Sequence, residues 1–318
     1  MKKLILAVIA AAFFLTGCTK ADLSVKKAEG LNITATIFPQ YDFASQLAGE
    51  KASVTMLLPP GSESHTYEPS PQDIIKIQNS DLFIYTGGES DNWIDEILKT
   101  LDTDSMKIIS LMDVCETVSE ESVEGMQTEE HASEDEAHNA DMVKQDEHVW
   151  TSPANAVKIC DAIFNALCEL DNENSEYYSE NHNRYTSLLD EIDNDFKEIV
   201  SSSKRNLLVF GDRFPFRYFA DRYGIEYFAA FPGCAEETEA SISTVTFLID
   251  KVKQEEIPVV LYPELSNHRL ADTIVEETGA KALMLHSCHN VTREEFDSGT
   301  TYAELMKRNE EVLKEALN

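Results

Sequence analysis

The sequence predicts an α/β protein built from parallel sheets in two similar halves. Three observations predict it. Short apolar runs recur at strand length, they are separated by stretches with helical periodicity, and the same alternation appears once on each side of a long central helix.

In the first half, residues 31–37, 54–58, 82–85 and 108–111 read as strands. Ser70-Pro71-Gln72-Asp73 opens a helix, with Ser as N-cap, Pro at the first helical position and an acid in the first turn; a further helix covers 92–101. Two helices follow. One is capped by Ser152-Pro153 and runs to about Leu170. The other spans roughly 175–202, with an apolar stripe through Tyr178, Tyr185, Leu188, Leu189, Ile192, Phe196 and Ile199. At 1.5 Å per residue it is about 40 Å long, enough to serve as a strut between lobes or to pack along one of them. The second half repeats the order, with strands at 207–210, 225–230, 259–262 and 283–285 and helices at 216–223, 243–254, 269–278 and 302–317.

The N-terminus reads as a targeting segment. Lys2 and Lys3 precede an apolar run, 4–15, that is too short to span a bilayer, and the run ends in Leu15-Thr16-Gly17-Cys18. That tetrad resembles a bacterial lipobox, which makes Cys18 the expected lipidation site and residues 18–30 a tether; several acyl chains on one residue anchor stably. Residues 1–17 are then a signal peptide, 31–172 a first lobe, 173–203 a linking helix and 204–318 a second lobe. Residues 116–147 have no apolar period and are dense in Asp and Glu, the composition of a disordered insert.

A formal charge of -32 argues against nucleic acid, whose phosphates call for Lys and Arg, and suits cationic partners or plain solubility. Beyond Cys18 five cysteines remain, with no CxxC. Cys160 and Cys168 lie on one predicted helix about 12 Å apart, too far to bridge. Cys234 and Cys288 stand in turn-like contexts and form a candidate pair, and Cys115 completes an odd count.

The histidines divide by context. His131 and His138 belong to the acidic tract. His65 stands in a loop after the second strand, within PPGSESHTYEPSPQD (59–73). His148 stands in DEHVWTSP (146–153), where the insert ends and an apolar anchor, Val149-Trp150, is followed by a helix start. His148 is therefore held and reads as a site residue.

The lipobox, the 59–73 loop, the His-bearing acidic insert, DEHVWTSP and the two βα halves together resemble the zinc/manganese substrate-binding lipoproteins of ABC importers, the ZnuA-like or cluster A-I family. The resemblance covers nearly the whole chain after Cys18. It implies two (β/α)4 lobes with parallel sheets, joined by a long rigid helix, with a metal cleft between the lobes. It also implies His65 and His148 as the first two metal ligands. At the third ligand position the sequence departs: Gly211 takes that place in Val209-Phe210-Gly211-Asp212-Arg213-Phe214. At the fourth, His286 falls where the family usually has Asp, in Leu285-His286-Ser287-Cys288-His289. The expected ligand set is His65, His148 and His286, with the remaining position open to Asp212, Glu63, His289 or water, Asp212 being favoured. Glu264 ends a strand and is a candidate to support the ligands, and Arg213 to Arg217 line the cleft or cap a helix.

Three imidazoles and a carboxylate suit tetrahedral Zn2+ better than Mn2+, which prefers more oxygen ligands. The resemblance thus implies a monomeric, lipid-anchored protein on the outer face of the cell membrane that captures Zn2+ and passes it to an ABC permease. Alternatives are an importer subunit for Mn2+ or Fe2+, a cell-adhesion lipoprotein (adhesin) and a zinc-dependent hydrolase. HExxH, GxSxG and P-loop motifs are absent, and the expectation is that the protein is not an enzyme.

Overall fold

A computed structural model describes residues 30–63, 67–127, 144–235 and 239–318. The first sheet contains β1 (Leu31–Ala35), β2 (Ala52–Met56), β3 (Leu82–Tyr85) and β4 (Lys107–Ser110), all parallel, in the order β2-β1-β3-β4. Its helices are α1 (Phe38–Ala48), α2 (Pro71–Gln78), α3 (Asn92–Leu98) and the short α4 (Leu111–Val114). Two central helices follow, α5 (Pro153–Leu170) and α6 (Ser175–Ser202). The second sheet contains β5 (Leu207–Phe214), β6 (Glu226–Pro232), β7 (Val259–Tyr262) and β8 (Lys281–Met284), again parallel, in the order β6-β5-β7-β8. Its helices are α7 (Arg217–Tyr223), α8 (Ile242–Gln254), α9 (Arg269–Thr278), α10 (Arg293–Ser298) and α11 (Tyr302–Ala316). The two α/β lobes expected from the sequence are present.

The predicted cap of α2 forms, whereas Ser152 stands at the N-cap position of α5 without a side-chain cap hydrogen bond. Ser70 Oγ accepts from Asp73 N at 3.3 Å, while Asp73 Oδ2 accepts from Ser70 N at 3.0 Å, a reciprocal capping box that starts α2. Burial works against the Asp73 carboxylate, yet Lys76 and Ser70 outweigh it and hold its pKa down at about 2. Helix α1 was not expected, because its apolar residues do not trace one stripe. Phe38, Phe43, Ala44, Leu47 and Ala48 are all buried, and the helix lies against both β2 and the α5–α6 pair. Inside it Gln40 joins two strand ends. Its Oε1 accepts from Thr36 N and Thr36 Oγ1, and its Nε2 donates to Thr86 Oγ1.

Helix α6 buries the expected stripe at Tyr178, Tyr185, Leu189, Ile192, Phe196 and Ile199. It packs on α1 and α5 from the first half and on α7 and α11 from the second. One continuous core therefore runs from Ile33 to Leu317, with smaller cores beneath α8–α9 and beneath α2–α3. Buried Asp42 ties three segments. It accepts from Tyr185 Oη at 2.7 Å, from Tyr302 N at 3.1 Å and from Gln46 Nε2 at 3.1 Å. Burial still raises its pKa against those bonds.

Residues 116–127 and 144–147 do not behave as the unstructured insert that composition suggested. Ser119 and Gln145 form an antiparallel bridge, and Glu120 N donates to Lys144 O at 2.9 Å. Both arms reach the second lobe. There Tyr218 Oη donates to Asp146 O, Gln127 N donates to Ala230 O on β6, and Ser241 N donates to Gln127 Oε1. Composition sees only the acids; the order comes from a few polar anchors. Residues 128–143, with His131 and His138, lie outside the described residues, as do the leader and Cys18. The expected Cys234–Cys288 pair is corrected: both are unpaired thiols, and so are Cys115, Cys160 and Cys168. Cys288 is buried with its Sγ toward His286 O. No helix among the described residues is long and apolar enough to cross a membrane.

Candidate metal centre

In each sheet the strand order reverses direction between the first strand of the lobe and the third, β1 and β3 or β5 and β7. Open parallel sheets bind ligands beyond the carboxyl ends of the strands at such switch points. Here both sheets direct those ends at one place. A cavity is lined by Thr36 and Ile37 after β1, Leu58 after β2, Thr86 and Asp91 after β3, and then Glu147, His148, Trp150 and His289. An adjoining cavity shares His148 and His289 and adds Glu63, Arg213, Gly233, Glu264 and Asn290. The two imidazoles stand between the cavities, one from each half of the chain.

His148 is 1 % exposed, and its backbone N–H donates to Asp146 Oδ1 at 2.8 Å. The same carboxylate oxygen lies 3.2 Å from Nδ1. That contact favours the tautomer with the proton on Nδ1 and makes Nε2 the lone-pair nitrogen, the arrangement carboxylates give to metal-binding histidines. Burial opposes the charged ring, but Asp146, with Glu147 and Glu120 behind it, prevails and raises its pKa. Gly233 covers one ring edge: a Cβ there would stand 3.0 Å from Cε1 of His148. A side chain at 233 would displace the ring.

His289 faces His148 edge-on, with ring centroids 5.6 Å apart and planes at 81°. Two imidazoles bound to one tetrahedral zinc at about 2.0–2.1 Å would place their centroids roughly 5 Å apart, so the spacing suits a shared ion. Trp150 braces both rings, at 5.5 Å from His148 and 5.0 Å from His289, and its Nε1 donates to Ser287 O at 2.9 Å. Glu264, at the end of β7, shapes the loop that carries His289. Its carboxylate accepts from Ser287 N, Ser287 Oγ and His289 N at 2.7, 2.7 and 2.9 Å. Cys288 has φ +62°, a left-handed turn that rotates the next residue toward the first lobe.

Acids surround the pair. Asp91 Oδ2 accepts from Thr86 N and Gly87 N, and Glu147 Oε1 accepts from Ser90 N. Burial, with the charge of Glu147 adding, lifts the Asp91 pKa to about 7 against those two backbone bonds. A cation entering this region meets carboxylates from both halves.

Comparison with known proteins decides the family. A model described as "Zinc-uptake complex component A periplasmic", ZnuA, matches residues 33–316. The chain belongs to the ZnuA family. It is 29% identical to the "High-affinity zinc uptake system protein ZnuA" of Bacillus subtilis, over 98% of this chain and 97% of that one. It is 31% identical to the "Zinc-binding lipoprotein AdcA" of Streptococcus pneumoniae strain R6 over 99% of its own length, but spans only 61% of that relative. The solved Zn(II)-bound ZnuA-like domain of Streptococcus pneumoniae AdcA superposes with TM-score 0.73 at 28% identity, covering 91% of this chain and 99% of that domain.

Of the ligands expected from the ZnuA resemblance, His148 lies at the centre and His65 lies outside the described residues. His286 and Asp212 do not line either cavity. The His286 ring is buried behind the loop, its Nδ1 accepting from Cys288 N at 2.9 Å and lying 3.7 Å from Glu264 Oε1. Asp212 accepts from Ser266 Oγ and from Arg213 N, away from His148. His289, one of the alternatives, is the histidine brought to His148. Gly211 also has a packing reason of its own: a Cβ there would stand 2.6 Å from Ala271 Cα of α9. A register shift between Phe210 and Arg213 then brings the Arg213 side chain to the cavity. Among the described residues no three His, Cys, Asp or Glu side chains come together as a metal site. Sequence reasoning held His289 only as one alternative for the remaining position, not as the partner of His148, and it missed Asp146 as the orienting carboxylate. The run Asp146-Glu147-His148, with an acid two residues before a held histidine, was the available signal for that carboxylate.

Proposed function

We propose that this protein captures Zn2+ outside the cytoplasmic membrane and delivers it to an ABC permease, acting as a binding protein and not as an enzyme. The zinc is held by His148 and His289, with His65 from the 59–73 loop as the third imidazole and a carboxylate, Glu63 or Glu264, within reach of a fourth position. The observation that carries the reading is the pair of imidazoles offered from opposite lobes at one cleft, which lets a bound ion bias lobe closure. The relatives, a high-affinity zinc uptake protein and a zinc-binding lipoprotein, support the choice of zinc. The Leu15-Thr16-Gly17-Cys18 tetrad supports lipidation at Cys18 and an outer-face location, with the protein acting as a monomer. The lobe assignment, 31–172 and 204–318 about the helix 173–203, belongs to the same reading.

The test is a competitive titration of the chain from residue 19 onward with Zn2+ and Mn2+. One zinc bound tightly per chain, displaced by no comparable excess of Mn2+, is the expected result. Preference for Mn2+ would move the cargo to the alternative metal, and absence of stoichiometric binding of either ion would overturn the importer reading.

A further inference from the structure

Residues 59–63 follow β2 and lead toward His65, so by sequence they belong to the first lobe. Their polar contacts run to the second. Gly61 N donates to Val291 O at 2.8 Å. Asn290 Nδ2 donates to Pro59 O at 3.0 Å and to Ser62 O at 2.8 Å. Arg213 Nη2 donates to Glu63 Oε2 at 3.0 Å.

Asn290 is 2 % exposed, and its amide orientation is set by its neighbours. Two carbonyl oxygens face one end and Val291 N, at 2.8 Å, faces the other, so only the amide nitrogen satisfies the carbonyls. It is also the residue next to His289. Arg213 and Glu63 are more open, with side chains 16% and 43% exposed.

We propose that Asn290 is a positioning residue of the cleft. With Arg213 it fastens loop 59–63 of the first lobe onto the second, so residues 289–291 both present His289 and set the distance between the lobes. The effect on zinc rests on the function proposed above; the fastening itself does not. The two attachments differ in kind. The Asn290 bonds are part-buried, join neutral groups and are indifferent to salt, whereas the Arg213–Glu63 ion pair is screened by it.

The experiment is amide hydrogen exchange on the metal-free full chain, beside Asn290→Ala, Asn290→Asp and Arg213→Met, followed by zinc dissociation kinetics. In Asn290→Ala the Gly61 amide should exchange about tenfold faster, the size of one lost buried hydrogen bond. Asn290→Asp, nearly the same shape, should be at least as fast because it sets a carboxylate against two carbonyl oxygens; a purely space-filling role would spare it. Zinc release should quicken about tenfold with the association rate changed less than about threefold. Arg213→Met should give a smaller increase at low salt that vanishes at high salt. Unchanged exchange at 59–63 in both Asn290 variants, or wild-type behaviour of Asn290→Asp, overturns the proposal. If the Asn290 variants do not fold, unchanged exchange at 59–63 in Arg213→Met overturns it and faster exchange there supports it. A wild-type chain that retains no zinc would defeat the zinc reading alone, since the exchange comparison would still decide the fastening.

Discussion

The ends of β5, a central strand, and β8, an edge strand, both reach the cavity at the second lobe, yet they deliver different chemistry. After β8 the chain turns through Cys288 at φ +62° and offers an imidazole, His289, to His148. At the end of β5 the chain meets α9 so closely that only glycine fits at 211, the register then shifts, and a guanidinium, Arg213, is what reaches the cleft. The difference shows that reaching the cavity does not by itself decide whether a strand end presents an imidazole or a guanidinium. One irregular residue in the backbone decides which side chain faces inward.

The largest test of this contrast is His289→Ala beside His286→Ala. If His289 is the direct ligand proposed above, its loss should weaken zinc by more than about 100-fold, beyond the 10–100-fold that supporting residues cost. His286→Ala should stay within about threefold, because that ring is turned away from the cavity; competitive titration compares the two. Equal losses would restore His286 to the site. Glu264→Gln should fall between them, about 10–100-fold, since it removes the carboxylate that orders Ser287 and His289. At the other strand end, Gly211→Ala should destabilise the fold by about 1–3 kcal/mol through overpacking against α9, read as a shift in the denaturant midpoint. The smallest effect is expected away from both ends. Asp193→Asn removes the negative charge and one of the two oxygens that serve Arg222, Lys197 and Tyr223, at a cost of about 1 kcal/mol near neutral pH. Burial opposes that carboxylate, but the three donors hold its pKa below the usual range. Its contribution is therefore present above the unfolded-state value and fades as pH falls through the lower folded value. The gap between variant and wild type should narrow toward acid and vanish below it; a constant gap would show that ionisation of Asp193 is not involved.

Much of the fold was legible because its signals are local. Pro71 after Ser70, Pro153 after Ser152, and the stripe from Tyr178 to Ile199 each specify an element by neighbours within a turn or two. Helix α1 escaped because it is buried on more than one face and so has no single stripe. At the site, the buried placement of His148 was legible from its apolar anchor. Which of His286 and His289 faces it was not, since that depends on a left-handed Cys288, a residue type with no turn preference, stabilised by Glu264 from a different strand. The anchored ends of the acidic stretch escaped for the same reason: Tyr218 and Ala230, which hold them, are distant in sequence.

The position of Tyr302 has a consequence for how the chain is made. Its ring packs 4.9 Å from Phe43, its hydroxyl donates to Trp150 O, and its N–H donates to Asp42, 260 residues earlier. The centre of the first lobe is thus completed by one of the last segments to be synthesised. At ordinary ribosomal speeds Asp42 waits roughly 10–50 s for that partner. During that interval the first lobe lacks the partner that closes its buried centre. For a protein threaded through a membrane channel, as the proposed export requires, the late arrival of Tyr302 keeps the chain pliable until translation is nearly done.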